Sequence, residues 1–327
     1  MEKFRVVSGM QPSGRMHLGN LLGALENWRR LQDTHEAYYL VADWHALSTN
    51  YADTSQIRSN IHEMLLDWLS AGLDPKRCTI FLQSRIPEHA VLHLLFSMTT
   101  PVPWLERNPT YKEQQQALTD RDLTTYGFLG YPVLQAADIL LYKARCVPVG
   151  IDQLPHIELT REIARRFNHL YREVFPIPEP LLTEAPKVVG TDGRKMSKSY
   201  QNGLYLADPP DVTRQKVLTM LTDPARKRRE DRGNPDICPV YFLHKVYTAK
   251  EECATIDRDC RTAAIGCVDC KKMLLEGLTA SLEPLRERRA ELTRQPGLVE
   301  DLLADGNRKA RPLAQQTVAE AHEAMGL

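Results

Sequence analysis

The chain has 327 residues, and its 42 lysines and arginines equal its 42 aspartates and glutamates, so its formal net charge is zero. A global positive field is therefore excluded, and a nucleic-acid partner must be met by a local basic patch. The first residues lack the apolar stretch of a signal peptide, and no run of about 18 apolar residues predicts a membrane span. We therefore expect a cytoplasmic protein with no membrane contact, whose thiols stay reduced.

The first 200 residues alternate short apolar runs with helical patterns. Strands are predicted at 4–9, 37–43, 78–84 and 146–150. Helices are predicted at 19–32, 54–73, 88–99, 132–144 and 155–171. This alternation predicts an α/β domain in which helices cover both faces of a doubly wound parallel sheet. Ligands should then bind beyond the carboxyl ends of the strands.

After about residue 200 the strand signals fade. The remaining chain predicts helices at 209–223, 270–294 and 298–325, and Pro284 and Pro312 are expected to kink or break the last two. We therefore expect two domains, an α/β domain over residues 1–200 and an all-helical domain over residues 201–327.

The segment QPSGRMHLGN, residues 11–20, lies where the first strand passes into the first helix. Pro12 and Gly14 favour a tight turn, and Gly19 lets a backbone or a flat ring approach closely. The helix start offers free N–H groups to an anion. His17 could donate a hydrogen bond to a phosphate without carrying a full charge. Taken alone, the segment is equally typical of an ordinary turn with a helix-capping residue.

The segment GRKMSKS, residues 193–199, places Lys195 and Lys198 three residues apart beside two hydroxyl groups. Two flexible ammonium groups suit a pyrophosphate leaving group, whose charge grows in the transition state. A solvated basic loop would show the same composition.

Together and in this order, the two segments resemble the HIGH and KMSKS signatures of the class I aminoacyl-tRNA synthetases. The first signature stands here as His17-Leu18-Gly19-Asn20, and the second is intact over residues 195–199. Residues 131–142 and 147–162 resemble the tryptophanyl-tRNA synthetases, and the similarity covers essentially the whole chain. The resemblance implies a Rossmann-like catalytic domain and a helical anticodon-binding domain. It also implies that tryptophan and Mg-ATP form tryptophanyl-adenylate and pyrophosphate, after which the amino acid passes to tRNA(Trp) and AMP is released.

The resemblance also implies which residues bind ATP and act on it. His17, Lys195 and Lys198 would handle the phosphate charge, and Mg²⁺ would be held mainly by the phosphates themselves. The implied ATP-binding residues are Gln11, Pro12, Ser13, Gly19, Asn20, Gly150, Ile151, Asp152, Val188, Lys195, Met196, Ser197, Lys198 and Ser199. Because neither step needs a strong protein nucleophile, positioning and charge stabilisation should supply the rate.

The implied tryptophan-binding residues are Tyr126, Gln135, Asp138 and Gln153. Asp138 would accept the indole N–H, although a tyrosine hydroxyl could also satisfy a carboxylate. Against tyrosine, Val7 and Gln11 replace the Tyr and Asp of the Y-x-G-x-D-P-T segment that tyrosyl enzymes carry. Gln135 stands where several tryptophan enzymes have Met, and it makes the predicted pocket more polar. A tyrosyl enzyme, an inactive tRNA-binding paralogue and a small nucleotidyltransferase are the alternatives.

Five of the seven cysteines fall within residues 238–270, in the spacing Cys238-x21-Cys260-x6-Cys267-x2-Cys270 with Cys253 in addition. Four thiolates suit an iron–sulfur cluster or a tetrahedral zinc ion, and buried free thiols are the third possibility. The family resemblance implies a [4Fe-4S] cluster, because some bacterial tryptophanyl enzymes carry one on a motif similar to C-x22-C-x6-C-x2-C. It also implies a homodimer. Residues 226–229, Lys271 and Lys272 are expected to contact tRNA phosphates, unless they form an ordinary solvated surface.

Overall fold

The computed structural model of the protein describes residues 3–109, 111, 123–182, 188–198 and 200–327, and its core is a single sheet. Its five strands are all parallel and lie in the order β3-β2-β1-β4-β5. The strands are β1 (Arg5–Met10), β2 (Glu36–Val41), β3 (Cys78–Leu82), β4 (Cys146–Val149) and β5 (Glu179–Leu182). The predicted α/β class and the four predicted strands are confirmed.

Successive side chains of the central strands enter opposite halves of the core, as the two-residue repeat of a strand requires. Val6 and Tyr39 pack in the core on one face, whereas Val7 and Tyr38 pack in the core on the other. Burial on both faces explains why these strands read as continuous apolar runs.

Helices cover the sheet and continue into the second half of the chain. In the first half they are α1 (Leu18–Asn20), α2 (Glu26–Thr34), α3 (Asp43–Asn50), α4 (Ile57–Ser70), α5 (Glu88–Ser97), α6 (Val102–Glu106), α7 (Tyr126–Leu140) and α8 (Leu154–Leu170). In the second half they are α9 (Pro210–Thr219), α10 (Pro239–Tyr247), α11 (Lys250–Arg261), α12 (Cys267–Thr293) and α13 (Leu298–Met325). A π-helical turn at Leu21–Leu25 joins α1 to α2.

The structure differs from the sequence analysis at two places. Pro284 and Pro312 lie inside α12 and α13, and neither proline ends its helix. Packing outweighs the lost hydrogen bonds there, since Leu282 and Ala310 beside them are fully buried. β5 was not predicted, because its proline-rich surroundings resemble a loop. Pro180 is tolerated because β5 is the outermost strand.

The last helix, α13, returns to the α/β sheet. Gly306 lies so close to β3 that a Cβ atom there would be 1.7 Å from the carbonyl oxygen of Ile80. Asn307 Oδ1 accepts the backbone N–H of Leu82 at 2.9 Å, which satisfies a donor on an edge strand. The division of the chain at residue 200 stays a prediction, and α13 packs on the sheet although it follows that boundary. Within the described residues, no helix is long and apolar enough to cross a membrane.

Candidate active site

The strand order reverses between β1 and β4, and a cavity of about 370 Å³ lies at the carboxyl ends of these two strands. Gln135, Asp138 and Gln153 line this cavity, as do Val7, Gln11 and Gly150. Tyr126 is placed elsewhere: it lines a neighbouring cavity of about 290 Å³, and its side chain is 67% exposed. His45 and Tyr131 line both cavities.

Asp138 is the buried charge at the base of the cavity. Its Oδ2 lies 2.8 Å from His45 Nε2, and its Oδ1 lies 2.6 Å from His89 Nδ1. Gln83 Nε2 donates to both oxygens, at 2.7 and 2.9 Å. Burial alone would raise the pKa of Asp138, but the hydrogen bonds from His45 and His89 lower the pKa to about 2. The carboxylate is therefore ionised at neutral pH and acts only as an acceptor.

His17 is fixed by a reciprocal cap at the start of α1. Its Nδ1 accepts the backbone N–H of Asn20 at 3.3 Å, and Asn20 Oδ1 accepts the backbone N–H of His17 at 3.1 Å. Burial and the charge of Lys198 lower the pKa of His17 to about 4. A neutral ring whose Nδ1 accepts must carry its proton on Nε2, so Nε2 is available as a donor.

Gly19 makes this arrangement of His17 possible. A Cβ atom at Gly19 would lie 2.9 Å from Nδ1 of the imidazole. A flat ring, the imidazole of His17, thus lies close to Gly19.

Lys198 joins the second signature segment to the first. Its Nζ donates to Ser13 Oγ at 2.9 Å and to the carbonyl oxygen of Gly14 at 3.0 Å. Burial lowers the pKa of Lys198 to about 8, while the carboxylate of Asp67 opposes that change. Lys195 has an exposed side chain, and Ser199 lies outside the described residues.

Asn202 supports the lysine segment, and the sequence reasoning did not select it. Its Oδ1 accepts the backbone N–H of Ser197 at 2.8 Å, and its Nδ2 donates to Asp192 Oδ1 at 2.6 Å and to the Lys195 carbonyl at 3.2 Å. It is buried, unlike most asparagines. Only its position three residues after the lysine signature could have drawn attention to it.

The other predicted ATP-binding residues lie in three places: the turn after β1, the pair Val188 and Met196, and the turn after β4. Pro12 is buried and Ser13 is exposed in the turn after β1, and Met196 N donates to the Val188 carbonyl at 2.9 Å. Gly150 begins the turn Ile151–Gln153 after β4. A Cβ atom at Gly150 would lie 2.6 Å from Asp152 Oδ1, so a larger residue there would require the exposed Asp152 side chain to move. Ile151 and Asp152 are exposed.

The four predicted ligand cysteines interact with one another. Burial and the fields of Cys238, Cys260 and Cys267 raise the pKa of Cys270 to about 12. The guanidinium of Arg226 lies 3.7 Å from Cys260 Sγ, and His244 Nε2 lies 3.3 Å from Cys270 Sγ. All seven cysteines are free thiols. In the part of the chain that the structure describes, no group of three or more His, Cys, Asp or Glu side chains is arranged to hold a metal ion.

Two of the basic residues expected at tRNA are buried instead. Arg226 donates to the carbonyl oxygens of Arg229 and Ile265, at 3.0 and 2.5 Å. Lys271 donates to those of Leu218 and Met220, at 2.9 and 2.6 Å. The prediction of phosphate contact is therefore wrong for Arg226 and Lys271. Lys227, Arg228, Arg229 and Lys272 are exposed.

Comparison with known proteins identifies the family of the chain. Residues 1–283 match the family described as tRNA synthetases class I (W and Y). The chain is 52% identical to the tryptophan–tRNA ligase of Thermotoga maritima over 99% of both chains. It is 44% identical to that of Aquifex aeolicus, over 99% of this chain and 100% of the relative.

A solved structure is similar over its full length. Tryptophanyl-tRNA synthetase from Campylobacter jejuni, in complex with ADP and tryptophan, superposes with a TM-score of 0.88 at 33% identity. The match covers 99% of this chain and 100% of that one. The resemblance inferred from the two signature segments is confirmed, and the chain belongs to the tryptophan–tRNA ligases of class I.

Proposed function

We propose that this protein attaches L-tryptophan to tRNA(Trp) in two steps that consume ATP. The tryptophan carboxylate attacks the α-phosphorus of ATP, the bond to the β-phosphate breaks, and pyrophosphate leaves. The terminal ribose hydroxyl of the tRNA then attacks the carbonyl carbon of the adenylate, and AMP leaves. The observation that carries this proposal is the ionised, buried Asp138 in the cavity between β1 and β4. The similar C. jejuni enzyme was solved with ADP and tryptophan.

Asp138 is proposed to accept the indole N–H of the substrate. Two carboxylate oxygens offer about four lone-pair sites, and three donor groups, on His45, Gln83 and His89, already use this carboxylate. Because Gln83 contacts both oxygens, these groups make four contacts, and the indole N–H would replace one of the two contacts of Gln83. Val7 is fully buried in the wall of the cavity, and its apolar side chain cannot hydrogen-bond the hydroxyl group of a tyrosine substrate. Gln153 and Gln135 are polar groups that could meet the ammonium group or the indole, whereas Tyr126 would have to move to reach this cavity.

His17, Lys195 and Lys198 are proposed to act on the triphosphate. The neutral His17 can donate from Nε2, and Lys198 is a cation that already lies on the turn after β1. Charge on the leaving pyrophosphate grows as the bond breaks, so donors and cations held in place stabilise the transition state more than bound ATP. The remaining implied residues, from Gln11 to Ser13 and from Gly150 to Asp152, form the walls of the ATP site in this proposal. Mg²⁺ enters with ATP.

The amino-acid assignment is tested by tryptophan-dependent exchange of pyrophosphate into ATP. Wild type should exchange with tryptophan and not with tyrosine. Asp138→Asn replaces an acceptor oxygen by an NH₂ group that opposes the indole N–H, so kcat/KM for tryptophan should fall by about 10³-fold or more. Asp223→Asn is the matched control, because Asp223 is also buried and accepts backbone N–H groups, but lies in the second half of the chain. Equal exchange by Asp138→Asn and wild type would contradict the assignment.

The charge of Lys198 predicts a loss of activity in alkali. The ammonium form is present below the pKa of about 8 and is lost as the pH rises through it. kcat/KM for ATP reports the free enzyme, so it should decline above pH 8. His17 is already neutral far below this range and should add no decline. Lys198→Arg keeps its charge at every pH tested, so it should remove the alkaline decline even if its activity is lower. An unchanged decline in Lys198→Arg would assign the titration to another group.

Cys238, Cys260, Cys267 and Cys270 are proposed to hold a [4Fe-4S] cluster. The spacing of the four cysteines supports this set, and the electrostatic influence of Cys238, Cys260 and Cys267 on Cys270 indicates that the thiols lie near one another. Arg226 beside Cys260 supplies a cation that favours thiolates, which are the forms that ligate iron. The group would connect α10, α11 and α12 and so have a structural role.

Metal analysis after anaerobic purification tests the cysteine set. Near four iron and four sulfide per chain are expected by the cluster assignment, and Cys267→Ala should lose them. Cys253→Ala removes a buried thiol outside the set and should retain them. Stoichiometric zinc, or iron that survives Cys267→Ala, would overturn the assignment.

A homodimer is proposed to form through α5 and α6. Leu94 on α5, Met98 directly after α5 and Val102 at the start of α6 are each more than half exposed, at 54%, 69% and 52%. The opposite side of α5 is buried through Leu92 and Phe96. Such a group of large, exposed apolar side chains is typical of an interaction surface.

Light scattering tests the dimer. Wild type should have the mass of two chains, and Leu94→Lys with Met98→Lys should have the mass of one. Leu182→Lys, at an equally exposed apolar residue of β5, should leave the mass unchanged. A wild type of single-chain mass at micromolar concentration would reject the proposal.

A further inference from the structure

Asp67 is a fully buried carboxylate that contacts the segment preceding His17. It lies on α4, and its Oδ2 accepts the backbone N–H of Met16 at 2.7 Å. Burial raises the pKa of the Asp67 carboxyl, while the Met16 N–H and the Arg289 guanidinium oppose that rise. Asp67 lies in a buried stretch of α4, between Leu66 and Trp68. A charged side chain is costly there unless it is fully paired.

The second partner of Asp67 comes from the other half of the chain. Arg289 on α12 donates from Nε to Asp67 Oδ1 at 2.7 Å and from Nη2 to Glu63 Oε2 at 2.7 Å. One guanidinium thus spans two carboxylates that are one turn apart on α4, which fixes the rotamers of all three side chains. α12 also carries Cys267 and Cys270 at its first turn.

One face of α4 lies against the turn after β1. A Cβ atom at Gly14 would lie 3.0 Å from Asn60 Oδ1, and Arg15 Nε lies 3.4 Å from Glu63 Oε2. Asp67 then holds Met16. Asn60, Glu63 and Asp67 follow the spacing of one helix face, so three successive residues of the turn each meet a residue of α4.

The Met16 peptide is held from its other side as well. The Met16 carbonyl accepts the backbone N–H of Leu206 at 2.9 Å, and Leu18 N donates to the Leu204 carbonyl at 2.9 Å. Asp67 therefore holds the segment that carries His17 on the side opposite to residues 204 and 206. Its negative charge also acts on Lys198, the cation bound to Ser13 and Gly14.

We propose that Asp67, oriented by Arg289, is a positioning residue for adenylate formation, because it fixes the backbone from which His17 projects toward the triphosphate. This inference rests on the proposed function. The contact extends from α12 through a buried carboxylate to the first signature segment, so residues of the second half of the chain complete the ATP site. If a group that stabilises the transition state is displaced by about 1 Å, the rate can fall by about 10²-fold.

The test uses tryptophan-dependent pyrophosphate exchange, with active sites counted by tryptophan binding and the Tm recorded for each variant. In Asp67→Asn the single amide oxygen can accept a hydrogen bond either from the Met16 N–H or from Arg289. The donor that is left without the oxygen faces the NH₂ group, which cannot accept. kcat should fall by about 10²-fold, with KM for tryptophan unchanged, since Asp138 lies in a separate site.

The double variant Asp67→Asn/Arg289→Gln is the rescue. Gln Oε1 and Arg Nε are both attached to Cδ, so the new oxygen faces the NH₂ group of the asparagine and frees its oxygen for Met16. Its kcat should exceed that of Asp67→Asn alone. Arg286→Gln makes the same change one turn earlier on α12, where the side chain donates to Thr213 at 2.7 Å, and it should keep wild-type kcat.

Three outcomes would overturn the inference. Asp67→Asn could lower the Tm and leave kcat unchanged, as a purely structural ion pair would. The double variant could be no better than Asp67→Asn alone. If Asp67→Asn does not fold, Arg289→Gln must lower kcat more than Arg286→Gln does, and equal values would reject the role. Absence of exchange in wild type would instead reject the proposed function, so the two failures are distinguishable.

Discussion

The reversal of strand order between β1 and β4 is the constraint on which the candidate site depends. Because both strands are parallel and their neighbours lie on opposite sides, the chain leaves their carboxyl ends in different directions and a crevice opens between them. The turn with His17 follows β1, the turn with Gly150 follows β4, and α7 brings Asp138 to the base of the crevice. Each group can be placed accurately because it stands at the end of a rigid element.

Two buried carboxylates serve this crevice in different ways. Asp138 is held by His45, Gln83 and His89 and lines the cavity, which makes it suitable for accepting a substrate N–H in exchange for a contact of Gln83. Asp67 is used entirely by the protein, between a backbone N–H and a guanidinium. In both cases hydrogen bonds oppose the cost of burying the charge. The difference is that Asp138 lines the cavity, whereas Asp67 contacts the signature turn and α12.

The sequence predicts well what depends on local pattern and less well what depends on packing. The buried strands, the signature turn at His17 and the lysine segment at Lys198 are readable, because apolar runs and glycine-rich turns have local causes. The burial of Arg226 and Lys271 is not readable, since a charged side chain meets backbone carbonyls only after distant segments pack together. Asp67 and Arg289 are separated by 222 residues. Asn202 depends in the same way on how the loop folds back.

The central claim is that an indole N–H, received by Asp138, selects the substrate. Activation of β-(3-benzothienyl)-alanine tests it most directly, because sulfur replaces the indole N–H while the ring system keeps nearly the same shape. In pyrophosphate exchange by the wild-type protein, kcat/KM for this analogue should be lower than for tryptophan by about 10³-fold or more, since the buried carboxylate loses a donor and faces sulfur instead. A value within about tenfold of that for tryptophan, the range expected of apolar fit alone, would contradict the account.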